Sequence, residues 1–195
     1  MLAQERAELI ELLHDLSDED WETPSLCAGW RVRDVVGHLL SDNIAPVDYA
    51  GIVLRHRFAV DRVNETLVGK ARSLSTAELV DRFEHRTGKL SRFAPKLVLA
   101  DTFVHQQDIR RPLNRPRTVP AERLAMVLAH PDPFASPWRN TKGLRFVATD
   151  VDWARGTGPE VRGTGEALAL AMVGRTVALA DLDGDGVAEL RRRLS

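Results

Sequence analysis

Asp101 and His105 lie four residues apart in LADTFVHQQDIRRPL, residues 99 to 113. On a helix that spacing sets one side chain above the other, as two donors to a single metal ion require. Asp101, His105 and Asp108 share the face that carries Leu97, Val98 and Val104, so the stretch aims charge at an apolar interior. Unpaired, such groups cost several kcal/mol to bury, and something must compensate for them. A third ligand has to come from another helix, as in metal sites built inside bundles. His38 is the best candidate, because it stands beside Val35, Val36 and Leu39 with Asp34 one turn earlier. His14, His56, His85 and His130 fall among charges or at helix ends and read as surface residues. Two histidines and one carboxylate hold zinc and leave one coordination position open, the mark of a catalytic site. Nickel and ferrous iron accept the same donors. Asp108 and Asp34 then serve as acceptors for imidazole N–H groups or as charge partners for nearby arginines. The plainer reading is that D-x-x-x-H is a short pattern and His105 a hydrogen-bonded core residue.

Three other stretches carry less. Cys27 is the only cysteine, so there is no internal disulfide and no Cys-rich metal site. It precedes a helix N-terminus, which lowers a thiol pKa, but no neighbouring histidine pattern activates it, and a small packed apolar role is expected. DLDGDG (181–186) has the first half of a calcium loop, yet its twelfth position is the cation Arg192. It reads as a turn. GTGPEVRGTG has neither Gly-Lys-Ser/Thr nor G-x-G-x-x-G spacing, and belongs to turns around a strand.

The elements that position these residues are mainly helical. Leu9, Leu13 and Leu16 mark a helix over 3–16, and 17–31 is a Pro- and Gly-bearing connection. Val32 to Leu39 opens a second helix that ends before Pro46, and a third covers roughly 48–68. Ser75-Thr-Ala-Glu78 is a capping box that opens a fourth. Pro95 and Pro120 suit the first turns of the next two. After His130 the character changes: PDPFASPWRNTKG is a linker, LRFVATDVDW a strand and GPEVRG a returning strand. GTGEALALAMVGRT and GVAELRRRL are short helices. The expected plan is a helical bundle over 1–130, a linker over 131–143 and a small α+β region over 144–195.

Composition bounds the function classes. The chain has 195 residues, 44% hydrophobic and 28% charged, with 27 basic against 28 acidic side chains and a net charge of −1. Nothing in that balance calls for a nucleic-acid partner, and RRPLNRPR and RRR read as solvated helix-end and tail charges. No signal pattern opens the chain and no apolar run reaches membrane-spanning length, so a cytoplasmic protein is expected. Oligomeric state is not legible in the sequence.

WETPSLCAGWRVRDVVGHLL followed by DTFVHQQDIRRPL resembles the mycothiol-dependent maleylpyruvate isomerase family, as does the tail GLRFVATDVDWARGTGPEVRGTGEALALAMVGR. The resemblance implies a DinB-like four-helix bundle followed by a small α+β C-terminal region. The family's triad, His and then Glu-x-x-x-His, implies His38, Asp101 and His105 as ligands here, with Asp in place of Glu. It also implies mycothiol as a thiol cosubstrate and a small, anionic substrate. In the isomerase proper, thiol addition to maleylpyruvate frees a bond to rotate, and expulsion leaves fumarylpyruvate. Arg175, in the Gly-Arg block of AMVGRT, is the implied carboxylate anchor; its alternative is a surface arginine at a helix C-terminus. The resemblance supports an isomerase or thiol transferase more firmly than the named reaction. The competing classes are a non-catalytic metal- or ligand-binding protein and a metal-dependent hydrolase on the same bundle.

Overall fold

A computed structural model describes residues 1–44, 46–57, 59–85 and 88–195. Two compact units divide the chain, Met1–Pro116 and Arg117–Ser195. The helices of the first are α1 (Leu2–His14), α2 (Asp18–Glu22), α3 (Val32–Leu39), α4 (Pro46–Arg55), α5 (Val60–Ala71), α6 (Thr76–His85), α7 (Lys89–Phe93) and α8 (Pro95–Arg110), joined by loops. The second contains α9 (Ala121–Ala129), α10 (Pro137–Thr141), β1 (Arg145–Ala148), β2 (Ala154–Gly156), β3 (Glu160–Gly163), α11 (Gly165–Met172) and α12 (Val187–Leu194). The protein is mainly α, with a small α+β C-terminal part.

In the first unit α3 is the hub, packing on α5, α6 and α8, while α1 lies against α6 and α8. Leu9, Leu13, Trp21, Val32, Val35, Val36, Leu79, Phe83 and Ile109 form its core. Each such side chain removed from water contributes roughly 1.5–3 kcal/mol. The α3–α5 approach depends on Gly37, where a Cβ would stand 2.7 Å from that of Ala71. Ser75 and Glu78 close the expected capping box on α6, the Ser75 N–H donating to Glu78 Oε2 at 2.8 Å. Pro95 opens α8 in the position where a missing N–H costs nothing.

Several expectations differ from the structure. The connection 17–31 contains α2, started by a capping box between Ser17 and Asp20. The single helix expected over 48–68 is two, α4 and α5, with Arg57 between them in the left-handed region (φ 51°). Phe58, within that expected helix, lies outside the described residues. Pro120 caps α9 from one residue outside it. Helix α9, read as the last of the bundle, instead packs on α11, because Leu124, Val127 and Leu128 meet that helix's apolar surface. The stretch read as a linker holds α10, whose buried Asn140 donates to the Met172 carbonyl at 2.9 Å.

The sheet has the order β2-β1-β3. β1 pairs antiparallel with β2, and GPEVRG, expected to return, is β3 and runs parallel to β1. The short β2 makes the return in its place. The chain then passes beneath the start of β1, so close that a Cβ on Gly156 or Gly158 would lie 2.2 or 2.3 Å from the Leu144 or Gly143 carbonyl oxygen. Among the described residues no helix is long and apolar enough to cross a membrane.

Candidate metal centre

α3 and α8 pack together, and their contact brings His38, Asp101 and His105 to one place. One donor atom from each lies within 4.8 Å of the other two. Asp101 Oδ1 stands 3.7 Å from His38 Nε2 and 3.4 Å from His105 Nε2. A dication with bonds near 2.0–2.2 Å holds its donors about 3.3–3.6 Å apart in a tetrahedron, so both Asp101 contacts are already within a few tenths of an ångström of that spacing, and the imidazole pair lies within 4.8 Å. The two imidazoles meet edge to face, centroids 4.7 Å apart and planes at 67°. Both are buried, while the Asp101 side chain remains 29% exposed and gives the trio its opening to solvent.

Behind the trio the partners are unequal. His105 Nδ1 bonds Asp108 Oδ2 at 2.9 Å, and Asp108 is fully buried. As a carboxylate, Asp108 accepts, so a neutral His105 ring keeps its proton on Nδ1 and turns its Nε2 lone pair to Asp101 and His38. His38 has no such support: its buried Nδ1 finds no hydrogen-bond partner among the described residues, and Trp30 lies against its ring at 5.4 Å.

Without a bound cation the charges settle on each other. Burial opposes the imidazolium of His105, but Asp101 and Asp108 override it and raise its pKa well above the ordinary histidine value. Burial likewise opposes the Asp101 carboxylate, and the two imidazoles hold its pKa far below the usual range. The trio is therefore a proton site that a divalent cation can take over.

The loop after α2 supplies a component that the sequence reading gave to core packing. Cys27 to Trp30 is a tight turn, closed by the Trp30 N–H on the Cys27 carbonyl at 3.0 Å, with Gly29 at φ 78° in the position that requires glycine. Leu26 N–H donates to the Asp108 carbonyl at 3.1 Å and pins the loop to α8. Cys27 Sγ then donates to Asp108 Oδ2 at 3.1 Å and stands 3.7 Å from His105 Nδ1. A histidine does neighbour the thiol, from 78 residues away in the chain. Only the SLCAGW turn signal beside a helix start hinted at it.

Asp34 is a charge partner for arginines. Its buried carboxylate accepts from Arg72 Nε at 3.0 Å and from the Arg31 N–H at 3.0 Å. Arg175 belongs to the second unit, half-buried after α11. Its N–H bonds the Leu170 carbonyl at 2.9 Å while Gly174, at φ 92°, turns the chain, a Schellman ending for α11. His14 and His85 are exposed beside carboxylates, and His56, half-buried, bonds Thr66 Oγ1 at 2.9 Å. In DLDGDG, Asp183 Oδ1 accepts from the Gly184 N–H, and the segment turns.

Residues 2–97 match the family model described as the mycothiol maleylpyruvate isomerase N-terminal domain. The match contains His38 and stops four residues short of Asp101, so the α8 pair stands on geometry alone. No curated protein and no solved structure matches the chain significantly.

Proposed function

We propose that this chain, which belongs through residues 2–97 to the mycothiol maleylpyruvate isomerase family, is a metal-dependent enzyme that uses mycothiol as an isomerase or S-transferase. The observation that carries the reading is the convergence of His38, Asp101 and His105 from two helices, with Asp108 orienting one imidazole. Those three would hold a divalent cation, zinc before nickel or ferrous iron. When bound, the ion supplies positive charge that stabilises the thiolate of an exogenous thiol near neutral pH. The family's own reaction points to a small substrate with an electrophilic double bond and a carboxylate.

The chain's residues divide the remaining work. Asp108 keeps the His105 proton on Nδ1, so Nε2 is the donor. Trp30 and the His105 ring restrict the plane of His38. Asp101 brings the negative charge that lowers the net charge of a bound cation and, being part-exposed, lies where thiol and substrate would enter. Arg175 is our assignment for the carboxylate anchor, on its place in the Gly-Arg block.

The test loads metal-free protein with cobalt(II) and titrates mycothiol near neutral pH while the near-ultraviolet spectrum is recorded. A Cys27→Ser background removes the chain's own sulfur, so any sulfur-to-cobalt absorption belongs to the added thiol. The band should grow and saturate, and His105→Ala should abolish it. An unchanged spectrum at saturating thiol, with cobalt demonstrably bound, overturns thiol activation and favours a binding protein or a hydrolase.

A further inference from the structure

His105 has two working edges. The Nε2 edge faces Asp101 and His38; the Nδ1 edge faces a different pair, Cys27 and Asp108, with the three donor atoms again within 4.8 Å of one another. We propose that this second edge is an alternative ion position, taking one thiophilic cation of the cadmium(II) class through Cys27 Sγ, Asp108 Oδ2 and His105 Nδ1.

The distances support a site more compact than the first. Sulfur lies 3.1 Å from the carboxylate oxygen and 3.7 Å from the imidazole nitrogen, and oxygen and nitrogen are 2.9 Å apart. With a sulfur bond near 2.3 Å and nitrogen and oxygen bonds near 2.0–2.1 Å, a tetrahedral zinc-sized ion separates its donors by about 3.3–3.6 Å. Oxygen must therefore withdraw from the other two by a few tenths of an ångström, somewhat more for a larger cation. The loop that carries Cys27 can provide part of that movement. Asp108 has no exposed surface and closes the back of the position with its carboxyl oxygen. Cys27 is half-buried, so the front is reachable from solvent.

The donor sets differ in kind. The first has nitrogen and oxygen only and suits borderline ions; the second includes a thiolate and selects soft ones. They also exclude one another. A neutral imidazole has one lone pair, so His105 can serve only one edge at a time. When the second position fills, the thiol proton goes to solvent and Nδ1 gives up its proton. The ring keeps a single proton on Nε2, where Asp101 Oδ1 at 3.4 Å accepts it. No electron is transferred. A soft ion therefore disables the first position by tautomer, without touching His38.

The experiment adds cadmium(II) alone to the metal-free full chain at neutral pH and follows sulfur-to-cadmium charge-transfer absorption in the ultraviolet. Cys27 is the only cysteine, so the band reports one atom. It should saturate at one ion per chain, vanish in Cys27→Ser, and persist in His38→Ala. Asp108→Asn and His105→Gln should each weaken binding at least tenfold, as loss of a ligand requires, with circular dichroism confirming the fold; the two substitutions are independent, so one folded variant suffices. No band at saturating cadmium overturns the proposal. So does a band whose affinity is unchanged in the folded Asp108 or His105 variant, because that describes a lone thiol. On cobalt-loaded protein, cadmium should expel cobalt one for one; cadmium bound beside retained cobalt overturns the exclusion. Cobalt that never binds would refute the first site and leave the cadmium titration standing.

Discussion

His105 Nδ1 and Asp108 Oδ2 are 2.9 Å apart, and that contact decides which nitrogen of His105 faces Asp101. Through that contact Asp108 fixes the donor edge. Asp108→Asn keeps the shape but lets the amide present either an N–H or an oxygen to the ring. The affinity for cobalt(II) or zinc(II) should fall 10–100-fold, the usual range for such outer partners. A chelator-competition titration measures it; an unchanged constant removes Asp108 from the role.

The metal-free trio makes opposite pH demands. Asp101 has a depressed folded pKa, so its contribution to stability is present above the unfolded value of about 4 and is lost as pH falls below that. His105 has a raised folded pKa, so its contribution is full below about 6.5 and fades as pH rises towards the folded value. For these two groups, metal-free protein should be most stable between about pH 4 and 6.5. Metal affinity should run the other way and grow with pH, because the ion displaces the His105 proton. Thermal melts with and without zinc across pH 5–9 check both slopes, and His105→Gln should flatten the alkaline limb of the metal-free curve.

Asp34 separates folding from the site. Its side chain is 2% exposed and bonds Arg72 Nε and the Arg31 N–H. Burial pushes its pKa up, but these bonds and charges prevail and hold it low. The stabilisation is therefore present above about pH 4 and lost as pH falls through the depressed value. Asp34→Ala strands the Arg31 N–H and leaves Arg72 only its Glu65 partner, and should cost about 1–3 kcal/mol in a urea melt near neutral pH. Metal stoichiometry should stay at the wild-type value. Loss of metal from a still-folded variant would show that Asp34 acts on the trio through α3.

That the α8 pair and His38 turn towards one place is legible because helical period is a local property: four residues give one face, and a valine stripe marks the inward side of α3. The second edge of His105 was not. Cys27 reaches Asp108 across 81 residues only because the CAGW turn and the Leu26 N–H bond set the loop there. No periodicity encodes that. The same limit hid where α9 docks, since an apolar face states that it must be covered and not by what. Strand β2 was hidden differently: Ala-Arg-Gly is all exposed and has no alternation to read. Its position follows from the glycines that let the chain pass under β1.

The shorter carboxylate on α8 gives the last test. The sequence resemblance implies Glu where this chain has Asp101, one methylene longer. Asp101 Oδ1 already approaches both imidazoles to 3.4 and 3.7 Å, so the short side chain reaches because α3 and α8 place it there. The side chain is 29% exposed, which leaves room for an extra methylene to bow outwards without entering the core. Asp101→Glu should therefore fold normally and keep cobalt affinity within about tenfold, roughly 1.4 kcal/mol. Asp101→Asn removes the charge at constant size and should lose more than that. If Asn binds as well as Asp while Glu does not, then shape and not charge governs the position, and Asp101 is no ligand.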